Sequence, residues 1–167
     1  NDIIKNSLPT ITLMIFAPII AELLPGSTRF SSIIVFPIEV LVWGGGALLI
    51  RYAVRKWQLG WINMLFLGLA LSIAEEFLIQ QTSLAPMVVK IKGIEYARSF
   101  GINYVYLLWA LIYETVFVVF IPISLTEIIF KTRSKELWIK KRGIYITIIL
   151  FLLGSIMAWY SWTQIAR

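Results

Sequence analysis

The 167-residue chain is 59% hydrophobic and only 14% charged, with a mean hydropathy of +0.84, whereas soluble domains are about a quarter charged. It contains no Cys, which removes disulfides and thiolate metal sites, and no His, which removes His-based acid–base catalysis, His-ligated haem and the common zinc sites. The net charge of +6 does not point to nucleic acid, because the basic residues fall between long apolar runs, where positive charge sets membrane topology.

The chain begins at Asn1 rather than Met, as expected of a processed or trimmed terminus, and Ala21-Glu22-Leu23-Leu24-Pro25 does not read as a signal-peptide cleavage site. A membrane span needs roughly 20 apolar residues. The first candidate covers 8–24, where Pro9 suits a first turn, Pro18 predicts a kink and Glu22 falls near the far end. Pro25-Gly26-Ser27-Thr28 reads as a turn. The second span covers 33–50 and carries Glu39 and Gly44-Gly45-Gly46. The triplet predicts close helix packing, with a helix break that exposes carbonyls as the alternative. Arg51, Arg55 and Lys56 follow at once.

The third span covers 61–80. Gly68, Ser72, Glu76 and Gln80 fall at successive i+4 positions and line one stripe, with Glu75 beside it. A polar stripe facing lipid is unfavourable, so this face should turn inward. Residues 81–101 form the longest connection. After Pro86, the residues Met87, Val88, Ile91 and Ile94 share a face, which suits a segment lying in the interface, or else an ordinary loop. The fourth span covers 102–124 and continues as helix to about residue 130, with Pro122 predicting a kink. Tyr106, Ala110 and Glu114 share a stripe, and Glu127 lies at the far end, within reach of interfacial water or a base. A basic loop at 131–142 precedes the fifth span, 143–162, which Trp159, Tyr160 and Trp162 close as an interfacial belt. The expected fold is therefore all-α, a polytopic bundle of five spans forming one integral membrane domain over residues 1–167.

Lys and Arg number three in 51–60 and six in 131–142, against one in 25–32 and one in the tail. These counts predict a cytoplasmic N-terminus and an outer C-terminus. The three basic residues in 81–101 run against that bias, and Lys90 and Lys92 are expected to meet lipid headgroups there. In this topology Glu22, Glu39, Glu75, Glu76 and Glu114 fall in the outer half on four different helices, and only Glu127 lies at the inner face. A carboxylate at mid-membrane costs on the order of a few kcal/mol unless neutralised or paired. The five therefore predict a protonated or proton-sharing cluster facing a polar cavity lined by Glu22, Glu39, Ser72, Glu76, Gln80, Tyr113 and Glu114. Arg29 and Arg51 are the candidate counter-charges, Arg29 being better placed in depth. Alternatively, the glutamates hydrogen-bond backbone and hydroxyl groups and lock the helices together.

The run Glu75-Glu76-Phe77-Leu78-Ile79-Gln80-Gln81 resembles the first motif of the CAAX-protease and bacteriocin-processing family, a paired glutamate with Arg four residues after the second Glu. The resemblance covers about ten residues and implies a polytopic α-helical fold in which one glutamate and two later histidines activate a water for peptide hydrolysis. Gln80 stands where the family has Arg. Only Trp109-Ala110-Leu111-Ile112-Tyr113, followed by Glu114, stands for the second motif, and the His-containing third motif has no counterpart. The runs 21–28, 44–51 and 68–76 together look like those of a group of uncharacterised bacterial membrane proteins, a likeness that brings no activity.

Three functions follow. The missing His favours a non-catalytic subunit, scaffold or receptor with a polar intramembrane pocket. A divergent glutamate-dependent intramembrane protease would use Glu75 or Glu76 to activate water, with Glu114 assisting. A proton- or cation-coupled transport component would use the acids as a relay. The expected partners are the lipid bilayer and other membrane subunits, not nucleic acid, and the reading requires no cofactor or metal.

Overall fold

The computed structural model describes residues 2–28, 30–84 and 97–166. Helix α1 runs Asp2–Pro18 and continues through a π turn, Ile19–Leu23. Helix α2 is Ile33–Lys56, α3 is Trp61–Ile79 and α4 is Tyr104–Ile129. Helix α5 is Lys141–Ala166. Four of these are apolar and long enough to cross a membrane, while the apolar part of α1, Ser7–Leu23, is shorter. With its polar first turns from Asp2, α1 reaches about 33 Å at the α-helical rise. The chain is thus an all-α bundle with the composition of an integral membrane protein.

Helix α2 is the centre of the bundle and touches all four others. Half of its apolar window is buried, against 17% for α5, which lies at the periphery. The glycine triplet makes this position possible. A Cβ on Gly44 would overlap the Met14 carbonyl oxygen of α1, one on Gly46 would sit 2.8 Å from a Leu71 methyl of α3, and one on Gly45 would only touch Phe151 of α5 at 3.4 Å. Three neighbouring residues thus address three different helices, as expected of small residues that let backbones approach in lipid. Gly154 of α5 answers from the other side, where a Cβ would meet Leu41 at 2.6 Å.

The helices alternate in direction, which creates two ends. The start of α1, the α2–α3 turn and the segment 130–140 share the basic end, where Thr10 donates to the Trp138 carbonyl at 3.4 Å. Residues 24–28 and 80–84 and the hairpin before α4 share the acidic end. That hairpin pairs Arg98–Ser99 with Ile102–Asn103. Phe100 and Gly101 at its tip both have positive φ, the two-residue turn that matches strand twist. The Asn103 amide docks it by donating to the Ser83 carbonyl at 3.0 Å. The interfacial segment expected around Met87–Ile94 lies outside the described residues, as do Lys90 and Lys92.

The end of α2 differs from the sequence reading. Helix α2 continues past residue 50 to Lys56, because Arg51 and Arg55 find a carboxylate on α4 and need not leave the bundle. At Pro18 and Pro122 the helices run on. Pro18 opens directly onto the π turn Ile19–Leu23 and Pro122 follows the π turn Thr115–Phe120, so the disturbance of the missing N–H is absorbed in the ladder. The basic loop is not simply a solvated loop, since Trp138 and Ile139 are buried against the bundle.

Candidate functional site: a glutamate layer at one end of the bundle

A π turn ends α1 and α3, at Ile19–Leu23 and Glu75–Ile79, and interrupts α2 and α4, at Val40–Gly44 and Thr115–Phe120. Each contains a glutamate or directly follows one: Glu22 lies within the first, Glu39 precedes the second, Glu75 and Glu76 open the third, and Glu114 precedes the fourth. Helix α5 has neither a glutamate nor a π turn. Single π turns are rare and gather at functional sites. Adjacent residues on a regular helix point about 100° apart, yet Glu75 and Glu76 are 2% and 1% exposed.

The acids form two linked groups. Thr28 bridges the first: its hydroxyl lies 2.5 Å from Glu39 Oε1 and 3.3 Å from Glu22 Oε2. The second joins α3 and α4, where Ser72 Oγ donates to Glu114 Oε2 at 2.6 Å and lies 3.4 Å from the Ala110 carbonyl. The Glu114 carboxyl also meets that of Glu76. Tyr113 closes α4 onto α1 by donating to the Ala21 carbonyl at 2.6 Å, inside the first π turn. Gln80 ends α3 half-buried, and its backbone N–H donates to the Glu75 carbonyl at 3.0 Å.

Glu76 is fully engaged. Its Oε1 accepts from Thr82 at 2.7 Å, and its Oε2 accepts from the Ser83 amide at 2.9 Å and from the Ser83 hydroxyl. The chain returns to make these bonds through Gln81, whose φ of 58° lies in the left-handed region. Glu76 therefore latches the turn after α3, and through Ser83 it also holds the hairpin. Of the three residues considered as catalytic from sequence, this one has its oxygens committed to the fold.

Glu75 is the opposite case. Both of its carboxylate oxygens are buried without a hydrogen-bond partner. The Gln80 N–H points toward this side chain but is committed to the Glu75 carbonyl. Glu75 stands within electrostatic reach of Glu22 on one side and of Glu76 and Glu114 on the other, so it joins the two groups. Glu39 Oε2 is also buried and unpartnered. A buried polar atom without a partner costs roughly 1–3 kcal/mol, and more when charged. The layer therefore holds a polar capacity that the protein's own groups leave unused.

The counter-charge expected of Arg51 is not supplied to this layer. Arg51 lies at the basic end, 1% exposed, with its Nε 3.1 Å from Glu127 Oε1. Its Nη1 donates to the Glu136 carbonyl at 3.1 Å and its Nη2 to the Ser134 carbonyl at 2.9 Å, and the guanidinium lies 3.1 Å over the Trp138 ring. Arg55 donates to both oxygens of the same Glu127, one bond being 2.7 Å. Glu127 thus finds its base, and it finds two. Arg29 lies outside the described residues. Among the described residues, no glutamate of the layer takes part in an ion pair, and no group of three or more acidic side chains is placed to hold a metal ion.

Sequence reasoning missed the hydroxyls. Thr28, Thr82 and Ser83 supply most of the donors to these carboxylates, and their only signal was position, in the turns directly after α1 and α3. Tyr106, which the sequence places on the stripe with Glu114, reaches Thr82 and faces Glu76. Comparison of the chain with protein-family models, with curated proteins and with solved structures finds no match.

Proposed function

We propose that the glutamate layer is the polar intramembrane site of a non-catalytic subunit, scaffold or receptor. The observation that carries this reading is Glu75, buried among three other carboxyl groups with both oxygens unpartnered. A layer serving only to lock helices would spend its acceptors as Glu76 does. The divergent protease reading, which rests on the resemblance at Glu75–Gln81, keeps Glu75 and Glu114 but loses Glu76 to Thr82 and Ser83. Among the described residues the transport reading finds no polar path: Met64, Val118, Val119 and Ile123, all buried and apolar, lie between the two polar ends.

The test is the mass of the assembly extracted from its membrane in mild detergent. Wild type is expected to carry a partner subunit or ligand. The Glu75→Gln, Glu114→Gln double variant is expected to lose that mass while keeping the wild-type helical content. A bare wild-type monomer would overturn the proposal.

The bacterial plasma membrane is the proposed location, on the resemblance to bacterial membrane families. The basic end is proposed to face the cytoplasm, because the loops with most Lys and Arg gather there. Since the chain has no Cys, single substitutions report cleanly. In intact cells an impermeant maleimide is expected to label Phe100→Cys and to spare Lys135→Cys, and the reverse pattern would invert the topology.

A further inference from the structure

We infer that the groove at the basic end, between the end of α2, the start of α3 and the second half of α4, is a binding site for an anionic phospholipid. Its cavity measures about 640 Å³, within the size range of small-molecule sites, roughly 300–1,000 Å³. Its walls divide by chemistry. Arg55 and Glu127 form the polar end, while Met64 and Phe120 continue the groove as apolar surface toward the membrane. That is the division of a lipid, a charged head on an apolar tail.

The charge sign follows from the ion-pair geometry. Two guanidinium groups share the one Glu127 carboxylate, which leaves a net positive charge. Arg51 is buried and bound to loop carbonyls, so it has nothing to offer the groove. Arg55 is 28% exposed and gives only its Nε and Nη2 to Glu127. A guanidinium has five N–H groups in a planar fork, so Arg55 keeps donors for a phosphate oxygen. Lys56 follows it in the chain. Trp61, 61% exposed, stands in the groove wall at its mouth as a residue that favours the headgroup level of a bilayer. The phosphate diester is placed on Arg55, and one acyl chain runs along Met64 and Phe120.

The test uses full-length protein stripped of lipid in detergent, titrated with phosphatidylglycerol, phosphatidylcholine or glycerol phosphate and read by native mass spectrometry. One phosphatidylglycerol per chain is expected to be retained over phosphatidylcholine by about fivefold, the weight of roughly one basic residue at an anionic surface. Arg55→Gln is expected to remove that preference. Met64→Trp, which fills the groove and leaves the ion pairs intact, is expected to reduce retention of both lipids. Unchanged phosphatidylglycerol retention in Met64→Trp overturns the site. Glycerol phosphate binding as well as the whole lipid overturns the occupant.

Discussion

Gly44→Ala is expected to destabilise the purified protein by about 2–3 kcal/mol, a loss of the size that overpacking produces, read as a lower melting temperature in detergent. The added Cβ would overlap the Met14 carbonyl oxygen and lie 2.8 and 2.9 Å from its Cα and carbonyl carbon. These are backbone atoms in the middle of α1 and cannot swing aside as a side chain would. Relief requires α1 and α2 to separate, and the two helices pack closely along this stretch. Gly45→Ala is the matched control. It gives the same helix the same gain in propensity, about 1 kcal/mol, but its Cβ meets Phe151 at 3.4 Å, an ordinary contact. Gly45→Ala should be neutral or stabilising. Equal melting temperatures for the two variants would mean that the close approach of α1 and α2 is not what holds them.

Arg51→Met is the second large effect, expected to lower stability by about 3 kcal/mol, toward the low end for breaking a buried ion pair because Glu127 keeps Arg55. The substitution keeps the bulk of the side chain and removes three things at once: the pairing with Glu127, the donors to the Ser134 and Glu136 carbonyls, and the cation over Trp138. The segment 130–140 should then leave the bundle, and cleavage by trypsin at Lys135 should accelerate before global unfolding. Arg133→Ala is the contrasting case. Its pairing with Glu136 is solvent-exposed, 26% and 53% for the two side chains, so the expected loss is about 0–1 kcal/mol. If trypsin finds Lys135 no faster in Arg51→Met than in wild type, Arg51 does not hold the segment.

Much of the architecture was legible because apolar runs leave few alternatives. Runs of about 20 apolar residues separated by Lys and Arg can hardly be anything but spans, and the glycine triplet marked the close contact on α2. The convergence of Glu22, Glu39, Glu75, Glu76 and Glu114 followed from depth alone, since alternating spans fix which residues share a level. What depth does not report is direction around each helix axis. The i+4 stripe through Ser72 and Glu76 left Glu75 to one side, yet both carboxylates are buried at the start of the π turn Glu75–Ile79. Such a turn is set by what packs around it and has no residue signature of its own. The same is true of Trp138. A tryptophan among six basic residues reads as interfacial, and its burial beneath Arg51 depends on a residue far away in the chain.

The π turn in α2 has a consequence for angular phase. Glu39 belongs to one polar end of the bundle and Arg51 to the other, yet both are buried on this central helix. Twelve residues of uninterrupted α-helix would rotate one side chain about 120° away from the other. The extra residue taken up at Val40–Gly44 brings that offset back to about 20°. The turn therefore works as a vernier, aligning two polar ends that a regular pitch would leave out of step. A chain lacking Leu41 would recover a regular α2 in which eleven residues give the same offset of about 20°, so that Glu39 and Arg51 could both keep their present neighbours without the π turn.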